Sequence, residues 1–575
     1  MVAKPAFEHT FRKRIVFMAV LFVIFLFAIM GRLAYIQVFA SNKYLAIAES
    51  QRTGEYQLMP TRGEIQIWDS FSNSAYTVAT SSEKILVYAN ASSITDADST
   101  AQSLAEVLGM TKEEILPKIS DSSKKYVVIK KDLTEEQQTK IKDLKLAGIN
   151  FDKETSRLYP EKTLLAQLLG FVGYVGDERK GSYGIELAYN NELSGTPGLL
   201  MEEKDSAGRW IFGGKRDRVP AIDGDSILLT IDKTIQFKVE SILKESVEKH
   251  GAESGSVVIM DPKTGAIISM ANYPTFDLND YGKVSSPEVY LNQVTVGAYE
   301  PGSIFKPLTF AAAINEGKLS PNTTFIDTGE VKVDEYTIKN SDLKAYGQQT
   351  MTEVLEKSLN TGTIFAKDSI GNAKFKEYVE RFGFGQKTGF EVVESAGSLS
   401  NLNGNIKSNY HTASFGQGIS VTPLQMVQAF SAIANGGEMV APHIVSKIIR
   451  ESGKLEDLDR SEKSQVISSK TASQVAAMMV NVVENGHGKQ AAVPGYYIAG
   501  KTGTAQVASK SGGYEKGKLI GSFVGFGPVE DPKFVMLVRI DNPQGVRYAE
   551  STAAPAFGEI ARFLVQHYKL QPTRQ

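Results

Sequence analysis

The longest hydrophobic segment of the chain lies near its N-terminus. An uninterrupted apolar run extends from Ile15 to Met30, and apolar residues resume after Arg32. Because about 20 helical residues span the hydrocarbon core of a bilayer, the pattern predicts a transmembrane helix over residues 15–36 with Arg32 near the interface. Residues 12–14 are basic, which predicts a cytoplasmic tail over residues 1–14 and an exported remainder.

A cleaved signal peptide is the alternative interpretation of this segment. The run is long for a signal, and no clear small-x-small cleavage site follows it at once, so the pattern favours an uncleaved anchor. No comparable run occurs later in the sequence. We therefore expect a single-pass protein of the cell (cytoplasmic, or inner) membrane.

Residues 37–224 show short apolar strands that alternate with polar, capped helices. Ile85–Tyr88 and Tyr126–Ile129 have strand composition, and capping-box patterns begin at Thr111 and Thr134. This region has no convergent His, Asp and Glu cluster and no glycine-rich phosphate loop. We predict a non-catalytic domain in which Arg157, Glu186 and the segment 170–184 serve as structural joints.

From residue 225 the pattern places strands first and last, with helices between them. An amphipathic helix is predicted over Lys233–Lys249 and a last helix from Ala556 to about Leu570. The predicted strands are Ser226–Ile231, Ser256–Met260, Ala266–Met270, Tyr496–Val507, Ile520–Phe526 and Phe534–Ile540. The expected fold is α/β (α+β), with a mostly antiparallel sheet flanked by helices over residues 225–575.

Charge and cysteine content exclude several classes of function. Lys and Arg total 63 against 65 Asp and Glu, so no basic surplus indicates a nucleic-acid partner. The chain has no cysteine, which excludes disulfides, thiolate metal sites and a cysteine nucleophile. We predict neither a metal nor a cofactor. The absence of cysteine fits an oxidising, extracytoplasmic setting.

The segment Glu300–Pro307 carries the candidate nucleophile. Pro301-Gly302 ends a loop, Ser303 stands where a helix N-cap is expected, and an apolar helix follows. Lys306 is then one turn further on, on the face of the Ser303 hydroxyl. Ser-x-x-Lys also occurs at Ser81, Ser122, Ser241 and Ser246, where a solvated helix face is the simpler interpretation.

Two later stretches can complete a site with Ser303. Ser358-Leu359-Asn360 follows a predicted helix over Thr352–Lys357, and helix capping is its simpler interpretation. Lys501-Thr502-Gly503-Thr504 lies among strand formers, where small residues let another backbone approach. Residues 495–502 also fit the P-loop pattern, but their strand-forming middle argues against nucleotide binding.

The three motifs Ser303-x-x-Lys306, Ser358-x-Asn360 and Lys501-Thr502-Gly503 resemble those of penicillin-binding proteins and serine β-lactamases. Residues 261–267, 299–307, 414–425 and 499–506 look like class B penicillin-binding proteins. Residues 184–186 and 193–198 resemble that family's non-catalytic pedestal. The resemblance implies a pedestal (dimerisation-type) domain over residues 37–224 and a transpeptidase domain over residues 225–575.

The resemblance implies a peptidoglycan D,D-transpeptidase that acts on stem peptides ending in D-Ala-D-Ala. Ser303 is then the nucleophile of an acyl-enzyme, with a neutral Lys306 as its base and Ser358 as the proton shuttle. Asn360 is expected to hold the stem-peptide amide. Lys501 and Thr502 are expected to bind the terminal carboxylate, beside Gly503 and Thr504 on the same strand. The backbone N–H groups of Ser303 and Thr504 are expected to form the oxyanion hole.

The Ser358-x-Asn360 motif resembles the division-type (FtsI-like) enzymes, whereas elongation-type enzymes usually carry Asp at the position of Asn360. The resemblance implies septal cell-wall synthesis, a SEDS-type glycosyltransferase and division proteins as partners, and covalent inhibition by β-lactams. An elongation-type enzyme, a non-enzymatic division scaffold and a β-lactam-hydrolysing or sensing protein are the alternatives.

Three stretches depart from the family pattern. Residues 66–70 replace the usual Asp-Arg-x-Gly, His487 stands where Gly-Thr-Gly has its Thr, and residues 548–552 replace the usual glycines. They leave the motif residues intact and imply different loop shapes.

Overall fold

A computed structural model describes residues 7–44, 53–176, 178–204, 210–458, 460, 462–508, 513–546 and 548–574. The chain forms two compact units: residues 1–60 with 195–223, and residues 61–194 with 224–575. The sequence from Tyr44 to Gln57 predicts a helix followed by an extended stretch, and residues 45–52 lie outside the described residues.

The first unit contains the N-terminal helix and a small sheet. Helix α1 spans Phe7–Ala34, and a π-helical turn, Tyr35–Phe39, continues it. The segment Phe11–Phe39 is long and apolar enough to cross a membrane, with a mean hydropathy of 2.6 over its most apolar window. The sheet has the strand order β1-β8-β9, with β1 at Thr53–Leu58, β8 at Gly198–Glu203 and β9 at Arg216–Val219.

The second unit holds the remaining described elements. Its α-helices are α2 (Ala97–Leu108), α3 (Lys112–Ile119), α4 (Glu135–Leu144), α5 (Ala166–Leu169), α6 (Gly184–Ala188), α7 (Asn190–Ser194), α8 (Lys233–Lys249), α9 (Gln293–Val296), α10 (Lys306–Asn315), α11 (Met351–Glu356), α12 (Asn360–Arg381), α13 (Lys407–Ser414), α14 (Pro423–Ala434), α15 (Ser469–Glu484) and α16 (Ala553–His567). Its strands are β2 (Ile65–Asp69), β3 (Ser74–Ala89), β4 (Val127–Lys130), β5 (Ile149–Leu158), β6 (Phe171–Val175), β7 (Glu178–Ser182), β10 (Ser226–Asp232), β11 (Ser254–Met260), β12 (Ile267–Tyr273), β13 (Thr324–Asp327), β14 (Glu330–Val333), β15 (Tyr336–Lys339), β16 (Gly347–Thr350), β17 (Glu438–Val440), β18 (Val445–Ile449), β19 (Leu455–Asp457), β20 (Lys463–Gln465), β21 (Ala499–Ala508), β22 (Tyr514–Gly527) and β23 (Phe534–Asp541).

A five-stranded antiparallel sheet forms the centre of this unit, in the order β12-β11-β23-β22-β21. Successive side chains of a strand point to opposite faces, and β11 obeys this rule. Val257 and Ile259 pack in the core that contains α8 and α16, whereas Val258 and Met260 pack in the core that contains α10, α14 and α15. The sheet is therefore sandwiched between helices, which confirms the predicted fold class.

A second sheet, of seven strands, has the order β19-β18-β10-β2-β3-β4, with β5 also paired to β3. Beside it lies a buried ion network centred on Glu186, whose carboxylate accepts hydrogen bonds from Arg62 Nε at 2.7 Å and from Arg157 Nε at 2.6 Å. Arg157 Nη1 also donates to the backbone oxygen of Gly63 at 2.7 Å. These contacts join three separate stretches of chain, in agreement with the structural role predicted for Arg157 and Glu186.

Helix α8 has the predicted limits, and the capping box at Thr134 is present, with Gln137 N donating to Thr134 Oγ1 at 3.2 Å. The predicted start of the strand at Tyr496 is wrong, because β21 begins at Ala499. Gly495, at a φ of 86°, makes a turn that excludes Tyr496 from the strand. A P-loop requires a helix after its glycine-rich loop, but strand β21 continues through Gly503.

Candidate active site

Ser303 lies in a short 3₁₀ turn, Gly302–Phe305, that leads directly into α10. The predicted N-cap at Ser303 is therefore wrong, because α10 begins at Lys306 and the turn begins at Gly302, whose φ of 58° suits glycine. Pro307 is tolerated in the first turn of α10, where its missing N–H has no intrahelical acceptor. Residues three apart eclipse in a 3₁₀ helix, so Ser303 and Lys306 still share one side.

Strand β21 packs closely against the turn that carries Ser303. A Cβ atom at Gly503 would lie 2.8 Å from Ile304 Cγ2 and 2.9 Å from the backbone oxygen of Pro301. A Cβ atom at Gly302 would lie 3.1 Å from the backbone oxygen of Thr504. Glycine at these two positions thus lets the strand and the turn approach within van der Waals contact.

Lys306 is fully buried and its amine contacts both polar residues of the second motif. Nζ donates to the backbone oxygen of Ser358 at 2.5 Å and to Asn360 Oδ1 at 2.8 Å, and it lies 3.2 Å from Ser358 Oγ. Burial, with a smaller contribution from the Lys501 cation, holds the pKa of Lys306 well below its usual value. A neutral amine keeps two N–H donors for the carbonyl and amide oxygens and can accept a proton from a hydroxyl.

Ser358 and Asn360 are held by the junction of α11 and α12. Ser358 lies between the two helices at a φ of 59°, a left-handed conformation that costs a non-glycine residue about 1 kcal/mol or more. Asn360 is the first residue of α12, and its Nδ2 donates to the backbone oxygen of Lys339 at 2.8 Å. The amide is thereby oriented with its oxygen towards Lys306.

A buried polar network fixes the start of α12. Asn340 Oδ1 accepts the backbone N–H of Asn360 at 3.0 Å, and Asn340 Nδ2 donates to Asp327 Oδ2 at 3.0 Å. Thr361 Oγ1 donates to Asp327 Oδ1 at 2.6 Å. Asp327, Asn340 and Thr361 are all almost completely buried, so the network holds Asn360 rather than contacting solvent.

Lys501 lies on β21, at the edge of the central sheet, and is fully buried. Its Nζ donates to the backbone oxygen of Thr502 at 3.0 Å. Burial lowers the pKa of Lys501 to about 7, against the opposing effect of the Glu550 carboxylate. Thr504 Oγ1 accepts the backbone N–H of Ala549 at 3.2 Å. Within the described residues β21 pairs only with β22, which leaves its other edge available to an extended chain.

The described residues contain no group of three or more His, Asp or Glu side chains placed to hold a metal ion. The side chains described at the candidate site carry hydroxyls, amines and an amide. Such groups can carry out nucleophilic acyl transfer, with an amine as the base.

Two family models match this chain. The model described as the penicillin-binding protein transpeptidase domain matches residues 255–562, and the one described as the penicillin-binding protein dimerisation domain matches residues 57–229. The chain belongs to the class B penicillin-binding proteins. It is accordingly a peptidoglycan D,D-transpeptidase, and the family that its motifs resemble is confirmed.

Several known proteins are similar to this class B penicillin-binding protein over nearly its whole length. Stage V sporulation protein D of Bacillus subtilis is 33% identical, covering 98% of this chain and 87% of its own length. The probable peptidoglycan D,D-transpeptidase PbpC of Pseudomonas aeruginosa is 31% identical over 95% of this chain and 94% of its own. Penicillin-binding protein 3 of Mycobacterium tuberculosis, solved in complex with aztreonam, has a TM-score of 0.69 and 26% identity, covering 90% of this chain and 99% of its own.

Some residues that shape the site cannot be recognised from the sequence. Asp327 and Asn340 belong to no motif, and only their burial marks them. Glu300 lies within a recognised motif, yet its contacts appear only in the fold: it accepts the backbone N–H of Gly418 and the hydroxyl of Tyr514, each at 3.0 Å. Burial raises the pKa of Glu300. Glu550, near Lys501, was noted only as a departure from the family pattern.

Proposed function

We propose that this penicillin-binding protein crosslinks peptidoglycan through an acyl-enzyme on Ser303. The observation that supports this most is the buried amine of Lys306, which contacts Ser358 and Asn360 and lies one 3₁₀ turn from Ser303. The hydroxyl attacks the carbonyl carbon of the penultimate D-Ala, the bond to the terminal D-Ala breaks, and an ester forms. An amine of a second stem peptide then displaces the serine, leaving a crosslink.

Lys306 acts as the base in this proposal. Its depressed pKa favours the neutral amine, which takes the proton of the Ser303 hydroxyl as the C–O bond forms. The Ser358 hydroxyl, 3.2 Å from Lys306 Nζ, passes a proton to the departing amine of D-Ala. Asn360 holds Lys306 through its oxygen, and the second N–H of its amide remains for the stem peptide.

Strand β21 binds the substrate in this proposal. Its edge position supports addition of the stem peptide as a further strand, and Gly503 lets β21 pack closely against the turn that carries Ser303. Lys501 as an ammonium ion, together with Thr502, binds the terminal carboxylate. The backbone N–H groups of Ser303 and Thr504 stabilise the oxyanion.

Covalent labelling by a fluorescent penicillin tests the acyl-enzyme. We expect stable labelling of the full chain in detergent, abolished by Ser303→Ala. Ser241→Ala is the matched control, because Ser241 belongs to another Ser-x-x-Lys match on the exposed face of α8. Labelling that survives Ser303→Ala, or its absence in the unaltered protein, contradicts the proposal. Rapid release of hydrolysed drug would indicate a β-lactam hydrolase instead.

We further propose septal synthesis during division, with the transpeptidase domain (residues 225–575) and the pedestal (residues 37–224) outside the cytoplasmic membrane. A SEDS-type glycosyltransferase and division proteins are the proposed partners, and β-lactams the covalent inhibitors. The Ser358-x-Asn360 motif supports the division role. A tagged copy is expected at midcell; signal along the lateral wall would indicate an elongation role. Signal confined to sporulating cells would favour the role suggested by the name of the Bacillus relative.

A further inference from the structure

Two positions at which this chain departs from the family pattern contact each other. His487 Nδ1 lies 2.8 Å from Glu550 Oε2. The two side chains are 54% and 39% exposed, so the pair lies at the surface and not in the core. Because 63 residues separate them in the sequence, only the fold brings them together.

The segment that carries His487 is fixed by the glycines on either side. A Cβ atom at Gly486 would lie 2.6 Å from the backbone oxygen of Glu356, and one at Gly488 would lie 3.0 Å from Val483 Cα. The segment is thus packed between the end of α15 and Glu356, which lies two positions before Ser358. The backbone on either side of His487 is therefore packed close to the second motif.

Glu550 is fixed against the third motif. It lies in a 3₁₀ turn, Ala549–Ser551, whose Ala549 is buried and donates its N–H to Thr504 Oγ1 at 3.2 Å. The Glu550 carboxylate raises the pKa of Lys501, in opposition to burial. The His487–Glu550 pair therefore connects the side of the site that holds Ser358 with the side that holds Lys501 and Thr504.

We propose that His487 and Glu550 are positioning residues for the carboxylate-binding end of the site. Glu550 supports the ammonium form of Lys501 while its turn holds Thr504, and His487 keeps the Glu550 carboxylate in place. The inference rests on the proposed function, in which the ammonium group of Lys501 binds a carboxylate. It gives a physical reason why the ammonium form of Lys501 is still populated near neutral pH, whereas Lys306, close to that cation, favours the neutral amine.

Other charged groups on the elements packed against β21 have different surroundings. Glu484, at the end of α15, pairs with Arg574 at 2.8 Å. The remaining charged residues on these elements are Lys470 of α15 and Glu515, Lys516 and Lys518 of β22, together with Lys306 at the start of α10. Among these residues, Lys306 is the group whose pKa the Lys501 cation lowers. The acid that raises the pKa of Lys501 is Glu550, in the turn Ala549–Ser551.

The test is the pH dependence of the second-order rate constant for labelling by a fluorescent penicillin, measured with the full chain in detergent. Removing a nearby carboxylate lowers the pH at which Lys501 loses its proton. We expect Glu550→Gln to move the alkaline fall in rate to lower pH by about one unit, so that labelling is about eightfold slower at pH 7.5 and unchanged near pH 5. Glu484→Gln removes a different acid, at the end of α15, and is expected to keep the pH profile of the unaltered protein.

Variants of His487 separate its contribution from that of Glu550. His487→Ala frees the carboxylate and is expected to shift the profile in the same direction but less far, whereas His487→Gln keeps a donor and is expected to retain it. A Glu550→Gln profile that is lower at every pH without a shift would mean a purely structural role and overturn the proposal. An unshifted His487→Ala profile would overturn the part assigned to His487. Absence of labelling in the unaltered protein would instead contradict the proposed function.

Discussion

The charge state of Lys501 yields the sharpest prediction for this site. With a pKa of about 7, Lys501 is an ammonium ion in slightly acidic solution and loses its proton as the pH rises. Its ammonium fraction falls from about 90% at pH 6 to about 3% at pH 8.5, so carboxylate-dependent acylation should fall about 30-fold between these values. Arginine stays charged throughout this range. We therefore expect Lys501→Arg to remove the alkaline fall, even if its larger side chain lowers the rate at every pH.

The neighbouring Lys306 strengthens this expectation. The Lys501 cation lowers the pKa of Lys306, so deprotonation of Lys501 at high pH raises the pKa of Lys306 and favours its neutral form less. A permanent cation at position 501 prevents both the loss of carboxylate binding and the rise in the pKa of Lys306. At limiting concentrations of fluorescent penicillin, the second-order rate constant reports groups of the free enzyme, and thermal melts at each pH exclude unfolding.

A matched control comes from β22, where Lys516 is exposed. Lys516→Arg should retain the alkaline fall of the unaltered protein. If Lys501→Arg falls as steeply between pH 6 and 8.5 as the unaltered protein does, deprotonation of Lys501 is not the cause and the assignment of its role is wrong.

Two further predictions concern packing and the buried ion network. Glu186→Gln leaves Arg157 without a buried counter-charge and is expected to lower local stability by about 3 kcal/mol, measured by hydrogen exchange around residue 186. The control is Glu83→Gln, which breaks the exposed pair of Glu83 with Lys153 and should change this stability by less than about 0.5 kcal/mol. Gly503→Ala places a methyl group against Ile304 and should slow acylation about 10- to 100-fold without unfolding the protein, because overpacking costs about 1–3 kcal/mol. An unchanged acylation rate would mean that β21 can shift without disturbing the site.

The amphipathic and alternating patterns predicted the central elements well, since local burial alone determines them. Helix α8 and strand β23 begin where the pattern places them. The Pro-Gly entry and the apolar helix distinguish Ser303 from Ser241 and the other Ser-x-x-Lys matches, whereas the roles of the other motif residues come from the family resemblance. The 3₁₀ turn at Ser303 could not be predicted, since an α-helical and a 3₁₀ first turn place the same residues on one side.

Contacts between distant polar residues were the least predictable part of the site. Asp327 and Thr361 are 34 positions apart and show no pattern, yet their hydrogen bond helps fix Asn360. His487 and Glu550 were recognised only as departures, and nothing in their spacing indicated that they meet. Such pairs are defined by tertiary structure, so a single sequence shows the residues but not the contact.

The register of the central sheet has a consequence for how the protein is made. Strand β11 pairs with β23, with Ser254 opposite Asp541, so the sheet joins residues separated by 287 positions. Ser303 is therefore synthesised long before the strands that form its site, and β21 cannot take its place until β22 and β23 have emerged. Contacts of this sequence separation slow folding and prolong the exposure of unpaired strands. A chain that stops before residue 541 cannot complete this sheet, so the acylation site forms only after this residue has been synthesised.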